Sequence, residues 1–330
     1  MTEHSPVRPL AGQSQATQSP TSQSMTGDLQ LVLVCPPCHA GWDRPEKTCA
    51  WRDLRFGQVP DFPVAQSQHE ALCRLLTDAG AEVLCLPNRQ AERGDLTLDA
   101  VYTHDSSMPT DYGLILMRPG KPNRVAEAGA HAAFYAEFGQ RWHLPAQPAT
   151  PIFGEITPPA TAEAGDIVWL DTRTLLVGYG YRTNREGIRQ LRTLLAPKSI
   201  EVNSAPLPHG QGPGACLHLM SLMSMLDEQT ILVDLPRLAV ETVELLTTRN
   251  FRLIEIDYGE RDTLACNVLS LGSGRLIALQ ENARTNSRLC AAGFDVRTFP
   301  GSEICLNGSG GPTCLTRPLV RSQKAQRPPC

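Results

Sequence analysis

The residues best suited to chemistry are cysteines in two short motifs. Residues 35–39 read CPPCH after an apolar run, and residues 310–316 read GGPTCLT. Two thiols separated by two residues fit a covalent haem, a zinc ion or a redox pair. The glycines of the second motif allow close backbone approach, so that loop can present Cys314 at the mouth of a cavity. Each motif needs partners before it indicates a function.

The CPPCH motif lacks the partners that metal or haem chemistry requires. No second C-x-x-C or H-x-x-x-H completes a four-ligand zinc site. Covalent haem attachment normally follows export, and the N-terminus shows no apolar signal segment. The chain has 11 cysteines, an odd number that argues against a disulfide framework and for mostly buried thiols. We therefore predict no metal and no cofactor, with Pro36 and Pro37 ending a strand.

The composition and charge of the chain limit the kinds of molecule that it can bind. The chain has 330 residues, of which 41% are hydrophobic, and a net charge of -4 with scattered basic residues. These features predict a globular protein without the basic field that nucleic acid or an anionic membrane attracts. No apolar run reaches the roughly 20 residues needed to span a bilayer. We expect a cytoplasmic protein with a small-molecule or protein partner. Oligomeric state follows from no pattern in the sequence, so a homodimer is left open.

The chain divides into a tail, one domain and a second short tail. Residues 1–28 are rich in Ser, Thr, Gln and Pro, which predicts disorder because little apolar surface is available to bury. Residues 29–320 are predicted to form a single catalytic domain, followed by a tail at 321–330.

Within that domain, helical and strand patterns alternate regularly. The 3.6-residue apolar period predicts five helices, over residues 64–80, 124–139, 185–197, 238–250 and 281–293. A short strand pattern follows each helix, at residues 81–87, 142–146, 200–206, 251–258 and 294–300. Paired short strands lie between these units, giving a repeat of about 55 residues that occurs about five times. Circular closure explains this pattern better than a doubly wound sheet, and no nucleotide-binding glycine motif is present.

Five segments, in order, resemble the guanidine-modifying (pentein) superfamily, closest to its dimethylarginine dimethylaminohydrolase and amidinotransferase members. They are LDAVYTHDSS (98–107), MRPGKPNRVAE (117–127), AEAGDIVWL with GYGYRTN (162–170 and 178–184), LHLMS (217–221) and GGPTCLT (310–316). The resemblance covers about residues 29–320. It implies an α/β-propeller of five strand-strand-helix-strand modules around a pseudo-fivefold axis, with the active site in the central funnel.

The resemblance implies a catalytic set. Cys314 corresponds to the nucleophile, His218 to the general acid and base, and Glu163 and Asp105 to the carboxylates that grip a guanidinium. These residue types suit the reaction, because two carboxylates can hold a planar cation while a thiolate attacks its carbon. Asp166 could support Glu163, and a turn role is equally open. The expected chemistry is hydrolysis of arginine or an N-methylated arginine through a covalent S-alkylthiouronium, giving a ureido product.

The resemblance also implies substrate contacts. Arg124 and Arg182 match positions that approach a substrate carboxylate, and a carboxylate-bearing guanidino compound is therefore expected to be a better substrate than agmatine. Asp99 matches the amino-group end and Tyr102 the apolar wall. His104 stands where dimethylarginine hydrolases carry an acidic residue, which changes the expected pocket for methylated nitrogens.

Two alternatives remain open at this point. An amidinotransferase uses the same thiouronium with an amine in place of water, and a binding pentein keeps the fold without chemistry. The joint presence of Cys314, His218, Glu163 and Asp105 argues against the binding protein. The first motif is now interpreted as part of the first strand and its loop, with Cys35 and Cys38 lining or supporting the funnel without reacting.

Overall fold

The protein is described by a computed structural model that covers residues 19–87, 96–138 and 152–323. The strands are β1 (Ser19–Thr21), β2 (Asp28–Val34), β3 (Glu82–Cys85), β4 (Ser107–Thr110), β5 (Gly113–Leu116), β6 (Ile152–Glu155), β7 (Ile167–Asp171), β8 (Thr174–Tyr179), β9 (Glu201–Pro206), β10 (Met223–Met225), β11 (Thr230–Val233), β12 (Arg252–Glu255), β13 (Leu269–Gly272), β14 (Arg275–Leu279), β15 (Asp295–Phe299) and β16 (Arg317–Gln323). The helices are α1 (Pro45–Thr48), α2 (Phe62–Asp78), α3 (Ala126–Phe138), α4 (Arg185–Leu195), α5 (Val240–Thr248) and α6 (Ala283–Ala291).

Across these ranges the strands form five small sheets of one design. Two strands pair antiparallel, a helix follows, and a third strand returns parallel to the second. Four modules run consecutively along the chain: β4-β5-α3-β6, β7-β8-α4-β9, β10-β11-α5-β12 and β13-β14-α6-β15. In the fifth, β16 from the end of the domain pairs with β2, which is followed by α2 and β3. The predicted five-module α/β pentein architecture is confirmed.

Local sequence signals account for the module boundaries. The Asp61 carboxylate caps α2 by accepting a hydrogen bond from Val64 N, and the Asn184 amide oxygen caps α4 in the same way from Gly187 N. The β13-β14 hairpin turns through Ser273 and its neighbouring glycines, all with positive φ. The predicted helices begin and end within two residues of the observed ones. The strand predicted at 142–146 lies outside the described residues.

The middle strand of each sheet is apolar because it is covered on both faces. Val32 in β2, Leu176 in β8 and Ile231 in β11 have no exposed surface. Burying side chains of this kind stabilises the fold by about 1.5–3 kcal/mol each. The sheets are thereby held rigid, and the loops that precede them can position side chains accurately.

The predicted boundaries of the domain differ from the structure at both ends. Residues 19–28, assigned to a disordered tail, include β1, which pairs with β16, and β16 itself continues to Gln323. Polar side chains are accommodated here by specific hydrogen bonds: Thr21 Oγ1 donates to Asp111, and Gln23 Nε2 donates to the Thr172 carbonyl. The remainder of the predicted tails, residues 1–18 and 324–330, lies outside the described residues. None of the described helices combines the length and apolar character that crossing a bilayer requires.

Candidate active site

Each module contributes one polar side chain to a common site from the segment just before its first strand. Asp105 precedes β4, Glu163 precedes β7, His218 precedes β10, Asn267 precedes β13 and Cys314 precedes β16. The four predicted catalytic residues are thus brought to one end of the molecule by equivalent positions of the repeat. Asn267 is the fifth member, and it lies in no motif that predicts a site residue.

Glu163 lies at the centre of this arrangement and is completely buried. Its Oε2 is 2.6 Å from His218 Nε2, and Arg182 Nη1 lies 3.1 Å from both carboxylate oxygens. Gly120 N donates a fourth hydrogen bond, to Oε1 over 2.9 Å. Burial alone would raise the pKa of Glu163, but the hydrogen bond and charge of His218, together with Arg182, lower that pKa below its ordinary value. Glu163 is therefore an anion.

Asp105 is held beside it by a buried arginine. Arg124 Nη1 donates to Asp105 Oδ2 over 2.6 Å, while its Nε and Nη2 bind Glu127 and the Tyr102 carbonyl. Gly165 N donates to Asp105 Oδ1 over 3.0 Å. Against the effect of burial, the charges of His218 and Arg124 lower the pKa of Asp105. Four of the five N–H groups of Arg124 are already engaged by protein oxygens, which suits orientation of Asp105 better than the predicted contact with a substrate carboxylate.

Close packing around the two carboxylates explains a glycine in the predicted motif. A Cβ on Gly165 would lie 2.6 Å from His218 Nδ1 and 2.8 Å from Asp105 Oδ1. Any side chain at this position would displace both groups. The E-A-G-D stretch therefore requires its glycine to let the carboxylate and the imidazole approach each other.

His218 is buried and is surrounded by acidic groups. Its Nδ1 lies 3.7 Å from the sulfur of Cys216, and its Nε2 is occupied by Glu163. Burial would lower the pKa of His218, but Cys216, Asp105 and Asp166 raise it well above its ordinary value. The imidazole is therefore protonated in the free site and ready to act as an acid.

Cys314 is half-buried at the end of the glycine-rich loop. Asn267 Nδ2 donates a hydrogen bond to its sulfur over 3.3 Å, and Asn267 Oδ1 accepts hydrogen bonds from Thr313 N and Oγ1. Burial, with the nearby Asp105, raises the pKa of the thiol to about 11. Cys314 is therefore a neutral thiol in the free site, and a bound cation would favour its ionisation.

These groups open onto a cavity of about 290 Å³, here called the cleft. Cys314, His218 and Asp105 line its inner end. The Tyr102 ring forms one wall, packed so closely on the loop that a Cβ on Gly310 would lie 2.4 Å from it. The structure thus places Tyr102 on the wall of the cleft and explains why the loop consists of glycines there.

The outer end of the cleft is basic. Lys121 Nζ donates to the Leu54 carbonyl over 2.8 Å and makes a short ion pair with Asp99. Arg55 adds a further cation, and Arg182 lines the wall between the two ends. Leu54, Arg55 and Lys121 were not singled out by sequence, because an isolated basic residue in a loop carries no functional signal.

Three other residues considered in the sequence analysis, His104, Cys35 and Cys38, do not line the cleft. His104 does not line the cleft: its Nδ1 bonds to the Thr316 carbonyl at 2.8 Å, and it borders a separate cavity of about 20 Å³. Burial lowers the pKa of His104 to about 3, so it is neutral. Cys35 is fully buried and Cys38 half-buried, and neither lines the cleft. Adjacent loop residues point to opposite sides, which separates His104 from the Asp105 carboxylate that follows it.

Asp166 supports the site from behind. Its Oδ1 accepts a hydrogen bond from Leu219 N over 3.0 Å, which anchors the backbone next to His218. Its Oδ2 makes no hydrogen bond of normal geometry, although the Thr183 hydroxyl is near enough to lower the pKa slightly. Burial dominates and raises the pKa of Asp166 to about 6. Asp166 was predicted to support Glu163. The observed hydrogen bond fits a supporting role, but for the backbone next to His218.

A metal is poorly suited to the inner end of the cleft. Within the described ranges, Asp105, Glu163 and His218 are grouped closely enough to hold an ion, with ligand atoms within 4.8 Å of one another. A metal needs a free imidazole nitrogen, whereas His218 Nε2 is already bonded to Glu163 Oε2 over 2.6 Å. Arginines also already pair with both carboxylates. The group fits a planar organic cation better than a metal ion.

Comparison with known proteins agrees with this geometry. The sequence model described as arginine deiminase matches residues 98–243 and 234–321. The chain belongs to the arginine deiminase family, within the pentein superfamily. It is 26% identical over 299 residues to YkgA, an uncharacterized protein of Bacillus subtilis, covering 90% of this chain and 94% of that protein. It is also 26% identical over 266 residues to an arginine deiminase of Mycobacterium avium, covering 71% of this chain and 64% of that enzyme.

Solved structures share the fold. A dimethylarginine dimethylaminohydrolase adduct superimposes with a TM-score of 0.65 at 25% identity, over 88% of this chain and 99% of that one. The N-terminal domain of ArgZ, a cyanobacterial arginine dihydrolase bound to product, gives a TM-score of 0.70 at 21% identity, over 89% and 98% of the two chains. Both relatives act on guanidino compounds, as their names state.

Proposed function

We propose that this protein is a cysteine hydrolase that cleaves a C–N bond at the amidine carbon of a guanidino compound. One observation carries the proposal: the Cys314 thiol shares the inner end of the cleft with protonated His218 and with anionic Asp105, while Glu163 bonds to His218 directly behind it. A guanidinium bound there would meet the Asp105 carboxylate at its edge and a sulfur at its face, and it would reach Glu163 when Arg182 moves away.

The reaction would proceed in two halves. The Cys314 thiolate bonds to the guanidinium carbon, His218 gives its proton to one nitrogen, and that C–N bond breaks to release an amine or ammonia. A covalent S-alkylthiouronium remains. Water then adds to its carbon while neutral His218 takes one proton, the C–S bond breaks to restore the thiolate, and the second proton passes to solvent as the ureido carbonyl forms.

The charges of the free site explain how the thiolate would arise. A thiol with a pKa of about 11 is not ionised at neutral pH. A guanidinium next to the sulfur stabilises the thiolate, so the substrate itself activates the nucleophile; the thiol proton passes to solvent, because His218 already carries one. Unproductive ionisation is thereby avoided when the cleft is empty.

Substrate entry would also rearrange Arg182. In the free site its Nη1 pairs with Glu163, a carboxylate that the substrate cation needs. A bound guanidinium would take over part of that pairing and release Arg182 toward the substrate's other end. Glu163 thereby exchanges one cationic partner for another and is not left unpaired, which limits the cost of desolvation.

The proposal is supported by the family and by its neighbours. Arginine deiminases are among the sequence relatives, and a Pseudomonas aeruginosa dimethylarginine dimethylaminohydrolase was solved with citrulline, a ureido compound. Hydrolysis by a cytoplasmic enzyme that uses no cofactor remains our prediction from sequence.

The direct test is a product assay. The purified chain is incubated with arginine, methylated arginines, agmatine and guanidinoacetate, and ureido product and released amine are identified by mass. Adding a primary amine separates hydrolysis from amidino transfer, because transfer would give a new guanidine in place of the ureido product. If no compound yields a ureido product, a new guanidine or released amine, the proposed chemistry is wrong.

A further inference from the structure

The outer end of the cleft selects against one group that arginine carries. Among the described residues, the carboxylates that line the cleft are Asp105, at the reacting end, and Asp99, at the outer end. Lys121 Nζ is paired with Asp99 and also donates to the Leu54 carbonyl. One oxygen of Asp99 and the Leu54 carbonyl are thus already bonded to an ammonium of the protein, so a substrate ammonium at this end would have to share Asp99 with Lys121.

The same end of the cleft has cationic groups that can still bind an anion. The Arg55 guanidinium lies against the backbone of Gly214, where an added Cβ would be 2.4 Å from its central carbon. No ion-pair partner for Arg55 exists in the part of the chain that the structure describes. Lys121 has a third N–H beyond its two bonds to Asp99 and Leu54, and it lines the cleft. A carboxylate entering this end would meet two cations that can bind it.

The backbone of Arg55 fixes where its side chain lies. Its φ of 65° is in the left-handed region, and the residue ends a helical turn in which Phe56 N donates to the Trp51 carbonyl over 2.9 Å. Here the conformation turns the exposed Arg55 toward the cleft directly beside Leu54, whose carbonyl holds Lys121.

We infer that the substrate is a guanidino compound that carries a carboxylate and has no free ammonium group, with Lys121 and Arg55 binding the carboxylate. This inference rests on the proposed function and narrows its substrate class. Two kinds of compound share the required chemistry: ω-guanidino acids, which lack the amino group, and Nα-acylated arginines, whose amino group is uncharged. An α-ammonium would have to share Asp99 with Lys121 or displace it, and in either case it would lie beside a cation of the protein.

Three compounds with the same guanidinoalkyl chain test the inference. Arginine has both groups, 5-guanidinopentanoate lacks only the amino group, and agmatine lacks only the carboxylate. We expect kcat/KM for 5-guanidinopentanoate to exceed that for arginine by about 10-fold or more, with agmatine lowest, since each mismatch loses or opposes a charge-assisted contact. Nα-acetylarginine distinguishes the two sources, because it is turned over well only if the cleft also admits an acyl group.

Variants of Lys121 should change this order. Lys121→Met removes the ammonium and frees Asp99, so kcat/KM should fall for 5-guanidinopentanoate and rise for arginine, reducing their ratio about 10-fold or more. Lys47→Met is a matched control, because Lys47 Nζ also donates to a backbone carbonyl over 2.8 Å but does not line the cleft. In Lys47→Met the ratio of kcat/KM for 5-guanidinopentanoate to that for arginine should equal the wild-type ratio.

Arg55 is tested in the same way. Arg55→Gln should lower kcat/KM about 10-fold for both carboxylate-bearing compounds and leave agmatine unchanged. Arg52→Gln is the control: Arg52 stacks on the Trp51 ring at 4.3 Å and does not line the cleft.

A binding measurement separates failure of the inference from failure of the proposed reaction. Dissociation constants of the same compounds for Cys314→Ser, with and without Lys121→Met, report recognition when no turnover occurs. If 5-guanidinopentanoate binds more tightly than arginine, and Lys121→Met removes the difference, the inference stands whatever the chemistry. If arginine is bound or converted at least as well by the wild type, or Lys121→Met changes both compounds equally, the inference is overturned.

Discussion

Asn267 Nδ2 lies 3.3 Å from the sulfur of Cys314, and the Asn267 amide oxygen accepts hydrogen bonds from both Thr313 N and Thr313 Oγ1. One amide thus holds the residue before the nucleophile and donates to the nucleophile itself. The donor stabilises a thiolate more than a thiol, because an anion accepts the stronger hydrogen bond. Asn267 therefore couples the β13 module to the chemistry of the β16 module.

Removing this amide should slow the reaction without abolishing it. For Asn267→Ala we expect kcat to fall about 10-fold to 100-fold and the pKa of the Cys314 thiol to rise, because a hydrogen-bond donor to the thiolate is lost. The pH dependence of kcat/KM and the ultraviolet absorbance of the thiolate measure the shift. Asn203→Ala is the control, since that amide bonds to Glu201 on the surface. A loss of activity with an unchanged thiol pKa would assign Asn267 a purely structural role.

The nucleophile can be identified by serine substitution. Cys314→Ser should reduce turnover about 10⁴-fold while the thermal unfolding midpoint stays near that of the wild type. Cys35→Ser and Cys38→Ser should retain most activity, because neither thiol lines the cleft. An active Cys314→Ser protein would contradict the covalent mechanism.

The module repeat could be predicted from sequence, because each helix period is long and is followed by a short apolar strand. The catalytic residues were found through short motifs whose order matches a known superfamily. Asn267 could have been found by position, since every module carries its site residue just before its first strand. In isolation, however, ACNVLSLG shows only the start of a strand.

Side-chain direction and pairing could not be predicted from sequence. His104 and Asp105 are adjacent, yet one borders the small cavity and the other the cleft. Arg124 matches a substrate-binding position, but here its guanidinium donates hydrogen bonds to Glu127 and Asp105. The role of Lys121 depends on a carbonyl 67 residues away in sequence. Such contacts are set by the assembly of the modules, which local patterns do not encode.

Loss of the acid and base should trap the intermediate. In His218→Ala the substrate cation can still favour the Cys314 thiolate, but no group activates water for the second half of the reaction. We expect a stable mass increase on Cys314 after incubation with substrate, detected by mass spectrometry of the peptide. The double variant His218→Ala with Cys314→Ser should show none. If single His218→Ala hydrolyses substrate at the wild-type rate, another residue is the acid and base.

Cys216 should be the more reactive thiol of the empty cleft. Desolvation would raise its pKa, but the positive charge of His218, 3.7 Å away, lowers it, whereas the pKa of Cys314 is raised to about 11. At neutral pH iodoacetamide should therefore alkylate Cys216 before Cys314, as measured by peptide mass. In His218→Ala the preference should decrease, since the cation is gone. Faster labelling of Cys314 in the free wild type would contradict these relative acidities.

The last prediction concerns stability and pH at Asp166. Its folded pKa is about 6, above the unfolded value, so the folded state binds this proton more tightly. As pH rises from about 4 to about 6, ionisation of this buried carboxyl should lower the free energy of unfolding by about 1–3 kcal/mol. Asp166→Asn keeps an oxygen that can accept the hydrogen bond from Leu219 N. Because asparagine does not ionise, the variant should not show this fall in the free energy of unfolding.

We therefore expect Asp166→Asn to gain stability relative to the wild type between acidic and neutral pH, as measured by denaturant unfolding. The substitution should also affect activity, because Asp166 helps to raise the pKa of His218. The alkaline limit of kcat/KM should move to lower pH in the variant. Asp171→Asn, at the exposed end of β7, serves as the control and should change neither property. A stability difference that does not depend on pH would show that Asp166 carries the same charge in the folded and unfolded chains.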